Sequence, residues 1–451
     1  MSQTFWHPFA DMAAVSGHEL VIVRGQGSTV TAEDGRSFLD ATAGLWYCNV
    51  GHGREEISAA VARQMADIAS YSCFGDLVTR PTLDLADRLA ALAPMPDARV
   101  FFTSGGSDSV DTAVKMVRRY WALRGHEDRS LIITRSRAYH GMHLAGTSLA
   151  GIEANRLGQG PLDSDVATVP WDDAEALAEA IDRVGADRVA AFFCEPVIGA
   201  GGVHTAPAGY LARVREVCRD RGVLFVADEV ICGYGRTGRM FASADLDPDL
   251  VLTAKGLTSG YLPMGAVLVA GAVAEPIWAG GVWRHGYTYS GHASAAAAAL
   301  ANLDILERED LVARVASHAL TLSAALAPLG GHAWISEVRS GSGLLAAVQV
   351  DPGVLADDPG VLPRLVAAIR ERGVLTRPLV DGSLQISPPF VMTREEMAAC
   401  GRAIDDALTA LGSTRAPAPD VDLLPEVTRD EAGGFESSDA RLRAEVPPHH
   451  G

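Results

Sequence analysis

Along most of the chain, short apolar runs alternate with stretches in which apolar residues recur at every third or fourth position. The runs RVFFT from Arg99, LIIT from Leu131, VAAFFC from Val189, VLFVA from Val223, LVLTA from Leu250 and GAVLVA from Gly265 carry little polar alternation, which predicts strands buried on both faces. Helical patterns lie between several of them. In YLARVREVCRDRG, Leu211, Val214 and Val217 share one face and Gly222 supplies a stop. Such an order predicts an α/β fold with a mostly parallel sheet between helices, and ligands of such sheets sit at the carboxyl ends of the strands. Turn signals at RGQGS and AEDGRS precede this region, and an alanine-rich helix from about Ala293 leads out of it into a second α/β region that runs to about Leu411.

Composition acts mainly by exclusion. A chain of 451 residues is too long for one simple core, so a large domain with a smaller companion is expected. The formal charge of −18 argues against nucleic acid or an anionic membrane as partner, since both select a basic surface. No apolar run is expected to reach the length of a membrane span, and the start MSQTFWHPFADM lacks the pattern of a signal peptide, so the expected location is cytoplasmic. The six cysteines are scattered without a CxxC pair and read as reduced thiols. The thirteen histidines do not group with acids at ligand spacing, so no metal site is expected.

Three strand ends carry chemistry. After RVFFT, a glycine-rich turn from Ser104 to Ser107 opens a helix with Asp108 and Asp111 early and Lys115, Arg118 and Arg119 later, as the helix dipole prefers. Free N–H groups beside two glycines suit a phosphate, although Ser107 as a simple N-cap reads equally well from that turn alone. Asp228 closes an apolar run, and a carboxylate at that depth needs a cation: a metal, an arginine or a protonated ring nitrogen. Lys255 follows LVLTA, where partial desolvation lowers a lysine's pKa and makes it a nucleophile toward aldehydes. Together, a phosphate cradle, a buried acid and a strand-end lysine are what pyridoxal phosphate requires.

The runs TSGGSDSVDTA, AYHGMH, CEPVIGAGGV, VADEVICGYGRTG, AKGL and HGYTYSGHASA occur in one order, and over about residues 5 to 411 the chain resembles a class III aminotransferase of pyridoxal-phosphate fold type I. That resemblance implies Gly106 and Ser107 at the cofactor phosphate, Tyr139 and Val230 on the two faces of its ring, Asp228 at the ring nitrogen and Lys255 joined to its aldehyde. It also implies Glu195 near the ring hydroxyl and Thr288 at the phosphate of a neighbouring subunit, hence a homodimer or higher homo-oligomer. The implied division is 1–60 and 306–412 as the two parts of a small domain, 61–305 as the large cofactor-binding domain, and 413–451 as a disordered tail.

ATAGLWYCNVGHG and RGVLTRPLVDGSLQISPPF resemble the ω-amino acid and amine:pyruvate branch, implying Trp46 and Tyr139 as substrate-pocket walls and Arg377 as the partner of a substrate carboxylate. The implied reaction moves an amino group from an amine or ω-amino acid to a keto acid such as pyruvate through a pyridoxamine phosphate form. FWHPFADM also resembles diaminopelargonate aminotransferases, but HGYTYSGHASA departs from their pattern. An aminomutase on the same scaffold would use the same cofactor residues, whereas a non-catalytic binding protein is disfavoured by the presence of both Lys255 and Asp228. His140 is expected only to support the tyrosine loop, Glu229 to be structural, and Arg236 to tie down its own loop.

Overall fold

In the computed structural model, which describes residues 4–413, all six predicted apolar runs enter one seven-stranded sheet. The chain first lays down β1 (Ile22–Gln26), β2 (Thr29–Ala32) and β3 (Ser37–Asp40), paired antiparallel. It enters the large sheet with β4 (Arg99–Thr103), β5 (Leu131–Arg135), β6 (Val166–Val169) and β7 (Val189–Cys194), and leaves it for a short hairpin, β8 (Val197–Ile198) and β9 (His204–Thr205). It returns with β10 (Leu224–Asp228), β11 (Leu250–Thr253) and β12 (Gly265–Val269). The order across the sheet is β4-β12-β11-β10-β7-β5-β6, with β12 antiparallel to both neighbours and all other pairs parallel.

Every residue of β7, β10, β11 and β12 is buried, which is why these strands read as unbroken apolar runs. β6 was not among the predicted strands; it is an edge strand with only Val169 buried, so it has no apolar run to betray it. The helix Gly106–Leu123 packs Val110, Ala113, Val114 and Val117 onto Val226, Leu252 and Val267 of the sheet. Each such side chain removed from water contributes about 1.5–3 kcal/mol, and this packing fixes the helix start against the strand ends.

Beyond the helix Ala293–Arg308 come β13 (Ile335–Gly341), β14 (Gly343–Val350), β15 (Val374–Leu375) and β16 (Ser383–Ile386). β15 pairs in parallel with β3, so residues from both halves of the sequence share one four-stranded sheet, while β13, β14 and β16 form another. Among the described residues one stretch, Leu311–Gly331, is apolar and long enough to cross a membrane by length and composition, contrary to the expectation that none would be. Its helix packs on β13 and β14 and buries Leu311, Val315, Leu322 and Leu326 along one face. The six cysteines are free and all but Cys73 are buried. Except for Ser413, the tail expected to be disordered lies outside the described residues.

Candidate active site

Five strands of one direction finish along the same edge of the large sheet, and each delivers a polar group or turn there. β4 runs into Ser104–Ser107, β5 leads to Tyr139, β7 is followed by Glu195, β10 ends on Asp228, and β11 is followed by Lys255. These groups line a cavity of about 430 Å³ that includes Gly106, Ser107, Tyr139, His140, Glu195, Asp228, Val230 and Lys255.

Gly105 is the N-cap of the helix Gly106–Leu123 and offers no side chain, so the first-turn N–H groups at the cavity have no capping acceptor. Ser107 is therefore not the N-cap; its Oγ accepts from Met142 N at 3.1 Å. Gly106 is required by space, because a Cβ there would lie 2.9 Å from Val230 Cγ1. At the far side of the cavity Asp228 is 4% exposed; Oδ1 accepts from Val230 N at 3.1 Å and Oδ2 from His140 Nδ1 at 2.7 Å. The carboxylate fixes the proton on Nδ1, and His140 Nε2 is left buried without a hydrogen-bond partner. Burial drives the Lys255 amine below its ordinary value, a shift that Asp228 and Glu195 oppose and Arg377 reinforces. Lys255 also sits in the left-handed region, φ 43°, as does Trp46 at φ 61°; such strain in non-glycine residues gathers at functional sites.

Glu195 is fully engaged by backbone. Its Oε1 accepts from Tyr139 N at 2.9 Å and its Oε2 from Gly199 N at 3.0 Å, which locks the Tyr139 segment to the turn before β9. Burial raises its carboxyl, against the pull of His140.

A second, smaller cavity of about 160 Å³ opens on Lys255 and Tyr139 and is walled by Trp46, Ile231, Leu379 and Arg377. The Arg377 guanidinium lies over the Trp46 ring, 4.5 Å from its centroid, and Nε donates to Gln385 Oε1 at 2.7 Å. No acidic side chain among the described residues pairs with it. Burial lowers its pKa to about 10, so it stays charged at neutral pH.

Of the residues singled out in the sequence, Gly106, Ser107, Tyr139, Glu195, Asp228, Val230 and Lys255 meet in the first cavity, and Trp46 and Arg377 stand in the adjoining one with Tyr139 and Lys255. Thr288 is not brought in; it is exposed on the turn Tyr287–Ser290. His140 does more than support the tyrosine loop, since it is the partner of Asp228; a histidine beside Tyr139 and an acid in need of a donor were the available signals. Arg236 ties three distant segments rather than its own loop, donating to Pro388 O at 2.6 Å, Leu344 O at 3.3 Å and Asn49 Oδ1 at 2.7 Å. Glu229 is structural: buried, it accepts from Ser243 N at 2.6 Å and Ser243 Oγ at 2.7 Å.

These groups fit pyridoxal phosphate. Uncapped N–H groups beside a glycine that no Cβ could replace suit its phosphate, the fixed carboxylate suits a protonated ring nitrogen, and the desolvated amine suits its aldehyde.

Comparison with known proteins points the same way. The class-III aminotransferase family profile matches residues 12–408. The chain is 39% identical over 396 residues to the putrescine–pyruvate aminotransferase of Pseudomonas aeruginosa, covering 82% of this chain and 86% of that one. An amine transaminase from an uncultivated Pseudomonas species, solved in its PLP-bound form, superposes with a TM-score of 0.85 at 38% identity, over 91% of this chain and 99% of that one. A thermostable (S)-enantioselective ω-transaminase from Thermomicrobium roseum gives a TM-score of 0.86 at 37% identity, over 90% and 96% of the two chains.

Proposed function

The chain belongs to the class-III aminotransferases, and we propose that it carries an amino group from an amine or ω-amino acid to a keto acid such as pyruvate, in two half-reactions on one site that holds pyridoxal phosphate. Arg377 is the observation that supports this choice of substrates. It is a charged, partly desolvated fork without an acid, on a wall it shares with Lys255. A keto acid's carboxylate satisfies it bidentately, while a substrate without one meets Trp46, Ile231 and Leu379.

When bound, pyridoxal phosphate supplies an aldehyde to receive the amino group and a ring that draws off the electron pair left by the departing Cα proton. The protein's own part follows from the geometry. The first-turn N–H groups at Gly106 and Ser107 would hold the phosphate, and Val230 and Tyr139 would wall the ring. Asp228, oriented by His140 and the Val230 N–H, keeps a negative charge where a ring nitrogen must stay protonated. Lys255, its basicity reduced by burial, is the amine placed to take the Cα proton and return it. Glu195 acts through the backbone, holding Tyr139 in place.

The active unit proposed is a homodimer. Thr288 is exposed outside its own chain's cavity, next to the exposed Tyr289 and two residues from Gly286, to which the exposed Phe74 ring lies close. A partner that covers this patch would bring Thr288 to its own site; an active monomer in sedimentation velocity would rule this out. For the substrates, the test is a panel of aryl-alkyl amine, putrescine and β-alanine donors against pyruvate and 2-oxoglutarate. Turnover with amine and pyruvate supports the reading, and activity confined to α-amino acid donors sinks it.

A further inference from the structure

His204, at the start of β9, lies outside both cavities described, and its Nε2 faces two groups that make opposite demands. Arg137 Nη1, 2.8 Å away, is always a donor and needs a lone pair on Nε2. Asp381 Oδ2, 3.4 Å away, is an acceptor and needs a proton there. Neither neutral tautomer serves both. The two partners belong to segments that carry site residues: Arg137 precedes Tyr139 by two positions, and Asp381 follows Arg377 by four.

The approach is built into the backbone. Gly202 adopts φ 132°, and a Cβ there would fall 2.1 Å from Asp381 Oδ2 and 2.5 Å from His204 Nε2. Around the imidazole a separate cavity of about 710 Å³ brings in Arg339 and Glu337 from β13 and Trp171 from the loop after β6. Arg339 donates to Asp381 Oδ2 at 2.6 Å and to Gly202 O at 2.8 Å, and pairs with Glu337 at 2.7 Å. Burial works to raise the Asp381 carboxyl, but hydrogen bonds from His204 and Ser383 and the charge of Arg339 outweigh it and bring it down to about 2. Arg339 Nη2 holds Asp381 through a contact that does not involve the histidine. Arg137 is different: no acid among the described residues pairs with it, and His204 is the polar side chain to which its guanidinium is tied.

We propose that His204 is a positioning residue for transamination: neutral, it tethers Arg137 and so steadies the Tyr139 segment, and protonated, it gives its Nε2–H to Asp381, repels Arg137 and releases that segment. Turnover and cofactor affinity then fall on acidification. This rests on the reading that Tyr139 walls the cofactor.

The test uses the holoenzyme as wild type, His204→Gln and His204→Leu, followed between about pH 5 and 8. Glutamine accepts from Arg137 and donates to Asp381 at every pH. The Trp171 ring stands 5.2 Å from the imidazole, and an imidazolium quenches indole fluorescence, so a pH step present in wild type and absent from His204→Gln and Trp171→Phe reports the charge on His204. Over the same step, wild-type kcat/KM with pyruvate should fall about five- to tenfold relative to His204→Gln, and the pyridoxal phosphate dissociation constant should rise in parallel. His204→Leu should resemble acidified wild type at all pH values; should it fail to fold, the glutamine variant carries the test. A fluorescence step with a flat wild-type to glutamine ratio in both kcat/KM and cofactor binding overturns the proposal, as does the absence of any step. Failure to transaminate with any acceptor would fall on the proposed substrates instead, and cofactor binding would still decide the role of His204.

Discussion

Replacing Arg377 by alanine separates the two half-reactions. Arg377 lines the cavity and no acidic side chain among the described residues pairs with it; its Nε is held by Gln385, and its ring contact is Trp46. With a pKa near 10 it is almost wholly charged at pH 7. A bidentate, charge-assisted pair with a carboxylate contributes about 1.5–3 kcal/mol, which is roughly 10- to 150-fold in binding. Arg377→Ala should therefore weaken the half-reaction with pyruvate by that factor, chiefly through the concentration dependence, and change the half-reaction of a simple amine by less than about threefold, since that substrate has no carboxylate to lose. Arg377→Lys should recover only part of the loss, because a point charge lacks the planar fork. Stopped-flow single turnovers read the two directly, with the aldehyde-loaded enzyme mixed with amine and the amino-loaded enzyme mixed with keto acid. Equal losses in both directions would mean that Arg377 supports the wall through Trp46 and Gln385, and the reasoning about a carboxylate would be refuted.

Lys255→Ala should abolish transamination and the visible absorption of bound cofactor, whereas Lys255→Gly, equally inactive, should be more stable by about 1 kcal/mol in denaturant melts because it relieves the left-handed φ of 43°. Glu229 is raised by burial to about 7 from an ordinary 4.5, so the native state keeps its proton where the unfolded chain has released it. The native form then binds more protons between those values, and stability must fall as pH rises through that window, by up to about 3 kcal/mol from this residue. Glu229→Gln, which can still accept from Ser243, should flatten the pH dependence of thermal unfolding, and an unchanged slope would contradict it. Arg236→Met removes the donor for Pro388 O, Leu344 O and Asn49 Oδ1 at once, and calorimetry should show a loss of about 2–5 kcal/mol; a variant as stable as wild type would show that these acceptors find other donors.

What was legible in the sequence is what is written locally. Strands covered on both faces read as nearly unbroken apolar runs, so β7, β10, β11 and β12 could be picked out; the bulky apolar residues of β4 and β5 marked those two as well, while β6, a four-residue strand at an edge with one buried residue, could not be picked out. Asp228 and Lys255 stood out for the same reason: a charged residue closing an apolar run has no local partner and needs a distant one. The glycine-rich turn before Gly106 marked a helix start open to an anion. Trp46, Arg377, Thr288 and the ring-facing roles came only through family resemblance, since nothing near them in sequence constrains their chemistry.

Tertiary structure alone decided the partners. Asp228 meets His140 across 88 positions, Glu195 meets the Tyr139 amide across 56, and Arg236 reaches Pro388 across 152. A side chain records that it needs a hydrogen bond or a counter-charge, but which group supplies it depends on how strands and loops far apart in the chain are packed. The Nε2 of His204, placed between a donor on the Tyr139 segment and an acceptor on the Arg377 loop, is the same point at its sharpest: a histidine after GAGGV has no stated purpose until Gly202 lets Asp381 approach it. Burial patterns are local because every residue in a covered strand faces the same solvent exclusion, and site geometry is not, because it is made only where separate strand ends converge.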